Sequence, residues 1–472
     1  MAQLHDLTAL EQAAAIRSKE VSPTELVEHY LARVDRLSDR VGAFVTVTDE
    51  LARKQAKLAE SRLDRDDLPL LFGVPTAIKD LNQTAGIRTT CGSATMEQFV
   101  PEVSDEVVLR IERAGMISLG KTNTPEFGSP CYTEPDVAPP ARTPYDLERM
   151  AGGSSGGAGA AVAAGLVPVA EGSDGGGSIR IPASCCGLFG LKPSRGRISG
   201  APMYGDPVGL GTPGPLSRTV RDAAAMLDVM AGPAAGEPSW APELPDGQSY
   251  LGWCDRDPGR LRIARFVTPM IADAEVHEQC LLAYENATTL LEGLGHDIEE
   301  VDVPIPPDAV GVFETCWSVL TALTVVPPGT EDRLRPLTRW LQERGRAVTG
   351  PEFGLALGEL RRIAAGALEK LAPYDAVLTP TLAQPPLRIG EIRDDLDPAQ
   401  DFENQKRFTP YTSAWNLTGM PAVSLPLHMT PGGLPVGVML AGRPAKEHLL
   451  LALSAQVEAA APWGARHPEC WA

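Results

Sequence analysis

The stretch EGSDGGGSIRIPAS, residues 171–184, sets three glycines directly before one serine, Ser178. A glycine gives up more backbone freedom on folding than any other residue. A run of three therefore implies either a tight turn or backbone amides that must stay uncovered. Upstream, GSSGG (153–157) holds two more serines, Ser154 and Ser155, ahead of an Ala/Gly-rich segment. It fits the G-x-S-x-G pattern of a nucleophile on a strand-to-helix turn, with Ser155 as that nucleophile. Such an arrangement needs a histidine base folding back from elsewhere. The histidines are His5, His29, His277, His296, His428, His448 and His467, and none lies between 30 and 276, where the glycine–serine segments sit. The base left is Lys79, at the end of the apolar run GVPTAIK. An ordinary lysine, with a pKa of about 10.4, is protonated at neutral pH. Desolvation disfavours the ammonium and lowers that value. An ion pair with the adjacent Asp80, or another carboxylate, is the competing reading of the same lysine. A further match, GMISLGKT (115–122), copies the phosphate-cradling pattern G-x-x-x-x-G-K-[ST] letter for letter. That motif needs a strand before its first glycine and a helix after it; here a helix precedes and a proline-bearing loop follows, which argues against nucleotide binding.

Composition narrows the classes. The chain has 472 residues, 43% of them hydrophobic, and a formal charge of −19. That balance argues against nucleic-acid binding by phosphate neutralisation. The eight cysteines form no C-x-x-C pair, so neither a zinc site nor a disulfide framework is signalled, and Cys185–Cys186 reads as core packing. No histidine pair has metal-ligand spacing. There is no apolar run of membrane-spanning length and no basic-then-apolar leader pattern at the N-terminus. A cytoplasmic enzyme is expected.

The elements that must position these residues alternate. Residues 7–19, 22–38, 49–64, 104–115, 157–166, 217–232, 275–295 and 353–372 read as helices. Ser22, Pro23 and Glu25 form a capping box at the second of them. Short apolar strands fall at 41–48, 71–81, 116–123, 166–174, 261–266, 374–382, 422–427 and 435–442, with a final helix after them. Helices alternating with strands argue for an α/β protein. Residues 233–260 read as surface loop.

With Lys79, Ser154–Ser155 and Ser178 in that order, the sequence resembles the amidase signature family. AGGSSGGAGAAVAAGLVPVAEGSDGGGSIRIPASCCGLFGLKPSRGRIS (151–199) carries the resemblance, with GVPTAIKDL, LGKTNTPEFG and NLTGMPAVSLP (416–426) in the expected order. It covers nearly the whole chain; 233–260 and 300–353 match loosely. It implies one compact α/β domain over 1–472, a mixed central β-sheet flanked by many helices. Within it, 1–65 would be N-terminal helices, 66–232 the catalytic core, 233–353 a variable substrate-loop region and 354–472 the C-terminal part of the core. It also implies a Ser–cisSer–Lys triad: Ser178 as nucleophile, Ser154 after a cis peptide as the bridge, Lys79 as base.

On that reading the glycines have a use. The amides of Gly175, Gly176, Gly177 and Ser178 would receive the oxyanion of the tetrahedral intermediate, one such donor being worth roughly 3–4 kcal/mol. Asp174 and Arg180 would hold the loop, and Ser155 would support the relay. Pocket candidates are Glu126, Phe127, Cys131, Tyr132, Thr133, Tyr204, Cys316, Trp317 and Asn416. The reaction implied is hydrolysis of a neutral apolar, aryl or cyclic amide, without metal or organic cofactor. The resemblance is nearest to bacterial amidases of the 6-aminohexanoate cyclic-dimer hydrolase type. The expected partner is a small-molecule amide, not nucleic acid or a membrane; a homodimer stays open. Two alternatives remain. One is the glutaminase subunit of a tRNA-dependent amidotransferase, whose usual RQPA is Arg180-Ile181-Pro182-Ala183 here. The other is a non-catalytic scaffold on the same fold.

Overall fold

The computed structural model describes residues 3–471. Eleven strands among them form two sheets. The smaller contains β1 (Phe44–Val47), β2 (Pro75–Lys79) and β3 (Ile117–Thr122), in the order β1-β3-β2, with β3 antiparallel to β1 and parallel to β2. The larger contains β4 (Val169–Asp174), β5 (Phe189–Lys192), β6 (Thr212–Ser217), β7 (Arg262–Arg265), β8 (Asp297–Glu300), β9 (Ala376–Pro380), β10 (Ala422–Met429) and β11 (Pro435–Gly442). Its order is β4-β6-β5-β10-β11-β9-β7-β8. β7 runs parallel to β8 and β9, and the other pairs are antiparallel. Helices flank both sheets, so the α/β reading with a mixed sheet holds. The three-stranded sheet beside it is an addition.

Local chemistry explains the elements around the site. The helix Pro23–Val41 starts on the Ser22–Glu25 capping box with proline in its first turn, and ends at Gly42 in the left-handed region (φ 61°). Leu26, Val27, Tyr30, Val34 and Leu37 form its buried face. The helix Gly156–Ala163 is buried on every side. It has no polar face because it crosses the core; its small residues let the backbone of Asn123 and Ala43 approach Gly157 too closely for any Cβ.

The strand β6 went unread because its sequence, TPGPLS, carries Pro213 and Pro215. Both precede the stretch paired to β5, which begins at Leu216. On that side they sit at an edge, where no ladder donor is required. The region 233–353 is more helical than a loop region. It contains a turn of helix at Tyr250–Trp253, then Ala309–Ala322 and Pro336–Ala347. The helix expected from 353 starts at Gly350, on a Thr349–Glu352 capping box. No described helix is long and apolar enough to cross a membrane.

Candidate active site

Three elements converge on the glycine–serine segments. Lys79 ends β2 at one edge of the small sheet, and Asp174 ends β4 at one edge of the large sheet. The two edges face each other. Thr76 Oγ1 donates to the Val169 carbonyl at 3.0 Å, and the Lys79 backbone N–H donates to Glu171 Oε2 at 2.9 Å. The third element is the turn 152–155, which leads into the helix Gly156–Ala163.

Lys79 is fully buried. Its Nζ donates to Ser154 Oγ at 2.8 Å and to the Ser173 carbonyl at 3.2 Å. Burial pushes its pKa well below the ordinary lysine value, against the pull of the Glu171 and Asp174 carboxylates. The competing pairing with Asp80 does not occur. Asp80 accepts from the Thr90 backbone at 2.9 Å and lies 3.6 Å from Lys121 Nζ. Lys121, the lysine of the phosphate-loop match, is buried inside β3 and donates to the Asn82 carbonyl and Thr89 Oγ1. It holds the chain together rather than facing a ligand.

The Gly153–Ser154 peptide is cis, as the resemblance implies. Ser155 is buried; its Oγ donates to the Ser173 carbonyl at 3.1 Å and accepts from the Ser173 N–H at 3.2 Å. Its own N–H donates to the Ser178 carbonyl at 3.0 Å. Both bonds of the hydroxyl are spent on β4, which argues against the elbow-nucleophile reading of Ser155. Ser178 is 8% exposed, on the turn between β4 and the short helix Arg180–Cys185. Its hydroxyl has no hydrogen-bond partner among the described residues, and none joins it to Ser154. Both serines line one cleft.

Asp174 and Arg180 form a two-toothed ion pair at 3.0 and 2.9 Å, both fully buried. Arg180 holds the Asp174 carboxyl well below the usual carboxylate range, although burial alone would raise it. Asp174 also accepts from the backbone N–H of Gly177 at 2.7 Å and of Ile179 at 3.1 Å. This corrects one expectation: the Gly177 amide is committed to Asp174 and is not free for an oxyanion. The amides of Gly175, Gly176 and Ser178 make no hydrogen bond among the described residues. Gly177 is the glycine that the backbone demands, at φ 134° and with Thr412 where a Cβ would lie. At Gly175 and Gly176 a Cβ would meet only the Trp317 ring, at 3.7 and 3.9 Å. Those two keep the approach to the amides open.

Two clefts meet at Ser178. One is apolar, walled by Ile181, Ile271, Ile305, Phe313 and Leu417, and carries the Glu314–Lys406 ion pair at 2.6 Å. The other is more polar and contains Ser154, Ser173, Asp174, Gly175, Phe127, Asp206 and Thr321. Ser129, Ser178 and Trp317 line both. No histidine lines either. His296 and His428 are engaged by Gln456 and Gln279.

Of the pocket candidates, Phe127, Cys131 and Trp317 line a cleft. The others do not. The Tyr132 hydroxyl donates to Asp401 Oδ2 at 2.6 Å, and Thr133 Oγ1 donates to the Gly152 carbonyl at 2.9 Å. Cys316 is fully buried, in a hydrophobic cluster with Ala309, Leu360 and Ile363. Asn416 braces the loop from behind: Nδ2 donates to the Asp174 carbonyl and carboxylate, and Oδ1 accepts from Arg180. Glu126 accepts from Ser93 and the Arg335 N–H, while Tyr204 is exposed and outside both clefts. Phe313 was missed. It lies one helical turn before Trp317, and the two rings stack at 5.7 Å; the i, i+4 aromatic spacing in VGVFETCWSVL was the available signal.

A family model described as Amidase matches residues 25–451. A putative amidase from Synechocystis is 36% identical over 458 residues, 96% of this chain and 88% of that one. The 6-aminohexanoate-cyclic-dimer hydrolase of Paenarthrobacter ureafaciens is 36% identical over 488 residues, covering 98% and 96%. A solved structure of 6-aminohexanoate cyclic dimer hydrolase complexed with substrate superposes with a TM-score of 0.93, at 34% identity and 100% coverage of both chains. The chain belongs to the amidase family and is an amide-hydrolysing enzyme.

Proposed function

We propose that this enzyme hydrolyses neutral amides with an apolar acyl, aryl or cyclic body through an acyl-enzyme on Ser178. The observation that carries the reading is the buried Lys79 Nζ–Ser154 Oγ contact, which opens onto the same cleft as Ser178. Neutral Lys79 takes the Ser154 hydroxyl proton while Ser154 takes that of Ser178, whose oxygen attacks the amide carbon. The oxyanion faces the uncommitted amides of Gly175, Gly176 and Ser178. The intermediate collapses as the proton returns along the relay to the leaving nitrogen, and water repeats the cycle on the ester. The hydrocarbon walls of the first cleft, Ile181 among them, support an apolar group beside Ser178. The similarity to 6-aminohexanoate-cyclic-dimer hydrolases supports a cyclic amide among the substrates. Eight free cysteines support a reducing compartment, the cytoplasm.

The test is amine or ammonia release by the purified protein, without tRNA or ATP, from aliphatic, aryl and cyclic amides and glutamine. We expect turnover of apolar amides, abolished by Ser178→Ala, and covalent labelling of Ser178 by a fluorophosphonate. Activity confined to glutamine would favour a glutaminase subunit. A Ser178→Ala enzyme as active as the wild type sinks the mechanism.

Trp317 stands at the junction of the two clefts and so sets the size of what reaches Ser178. In Trp317→Ala the ratio of kcat/KM between aryl and small aliphatic amides should fall by about tenfold or more, the scale of hydrophobic-pocket discrimination. An unchanged ratio would place the substrate elsewhere.

A further inference from the structure

Glu171 is a buried charge that the mechanism leaves unused. It lies in the middle of β4, fully buried, opposite Pro215 of β6. Its Oε2 accepts the Lys79 backbone N–H, the donor at the open edge of β2. Its Oε1 is buried and makes no close hydrogen bond among the described residues; the Asn82 side chain faces the carboxyl, and its Nδ2 is likewise without a close partner. A β-edge N–H needs only a neutral acceptor, which glutamine provides equally well. A buried carboxylate with one oxygen short of a close donor is the costly way to meet that need. The carboxyl therefore calls for a reason beyond the backbone bond.

The surrounding charges are already matched. Just after β2, Asp80 is 3.6 Å from Lys121 of β3. At the end of β4, Asp174 is held by Arg180. The helix Gly156–Ala163 against β2 has no titratable side chain. Arg33 on the helix Pro23–Val41 is engaged by the carbonyls of Ala164, Gly165 and Trp471. Between β2 and β4 this leaves Glu171 and Lys79 as the acid and the base without a direct ion-pair partner among the described residues; Lys121 also acts on Glu171, Asp174 also acts on Lys79, and Lys192 of β5 faces Asp174. Burial pushes the Glu171 carboxyl above its ordinary range, with Lys79 pulling it back. Each group's charge thus stabilises the other's.

On the reading that Lys79 is the base, we propose that Glu171 is a positioning residue that sets the pH at which Lys79 becomes an amine, acting through its charge and touching neither substrate nor Ser178. An ionised Glu171 favours the Lys79 ammonium, which cannot accept the Ser154 proton. A protonated Glu171 favours the amine, whose N–H reaches the Ser173 carbonyl while its lone pair faces Ser154. No proton passes between the two groups; the coupling is electrostatic.

The experiment is the pH dependence of fluorophosphonate labelling of Ser178, which needs no knowledge of the substrate. Removing a negative charge beside Lys79 lowers its pKa, so Glu171→Gln should move the acid limb to lower pH by about one unit, the low end of what a neighbouring opposite charge does. Gln retains the acceptor for the Lys79 N–H, so a purely structural role leaves the limb in place. Glu171→Met, uncharged and of similar length, should give the same displacement. A limb at the wild-type pH in a folded variant overturns the proposal. So does failure of both neutral variants to fold, which would make the carboxylate structural. Lys79→Met is run alongside. If it labels at the wild-type rate over the whole pH range, the base assignment itself falls. If it labels slowly while the Glu171→Gln limb stays put, only the role of Glu171 falls.

Discussion

Lys79→Met should lower kcat/KM for amide hydrolysis by about 10²–10⁴-fold, the usual contribution of a positioned general base. Methionine matches the length and apolar stem of lysine, so the pocket stays filled while the only basic nitrogen beside Ser154 is removed. The wild-type profile should itself be informative. As the proposed base, Lys79 would work only as the amine, and desolvation holds its pKa below the ordinary range. Activity should therefore rise with pH along an acid limb lying well below about 10.4, the value of a solvated lysine, and Lys79→Met should lose that limb. A wild-type limb near pH 10, or a variant that keeps both rate and limb, would remove Lys79 from the reaction.

Asp174→Ala should be the most destabilising change in the loop. It leaves the Arg180 guanidinium buried without its partner, and unpairing a buried ion pair costs about 3–5 kcal/mol. It also strips acceptors from the Gly177 and Ile179 amides and from Asn416. A fall in denaturant midpoint of that order, together with loss of Ser178 labelling, is expected. Arg180→Met in the Asp174→Leu background replaces the pair with hydrocarbon. It should recover much of the stability without restoring the loop, so its labelling should remain low. Full labelling in Asp174→Ala would show that the loop holds its shape without the carboxylate.

The candidate residues stand out in the sequence because their types are unusual where they stand: a lysine ending an apolar strand, serines among glycines, no histidine nearby. Tertiary commitments were not legible. Gly177 and Asn416 look from sequence like an open amide and a pocket wall. Their roles as donors to Asp174 depend on a contact across some 240 positions of chain and on a carboxylate that turns back onto its own loop. Tyr132 and Thr133 face away from the clefts because each satisfies a buried polar group, Asp401 and the Gly152 carbonyl. The helix Ala309–Ala322 escaped notice because apolar residues occupy more than one of its sides, as suits a helix that packs on a core and also walls a cleft.

Lys79 ends a strand of the small sheet and Ser178 follows a strand of the large one, and the bonds from β2 to β4 help to set their separation at the seam. Catalytic competence is therefore a gauge of how the two halves are registered. A slip of β2 along β4 by a fraction of a residue would leave both sheets, their helices and nearly all secondary structure intact while pulling the proposed base, Lys79, away from Ser154. Mild denaturant should then silence the enzyme before any spectroscopic sign of unfolding, and substitutions at Thr76 should behave like active-site lesions despite lying a full strand turn from the chemistry.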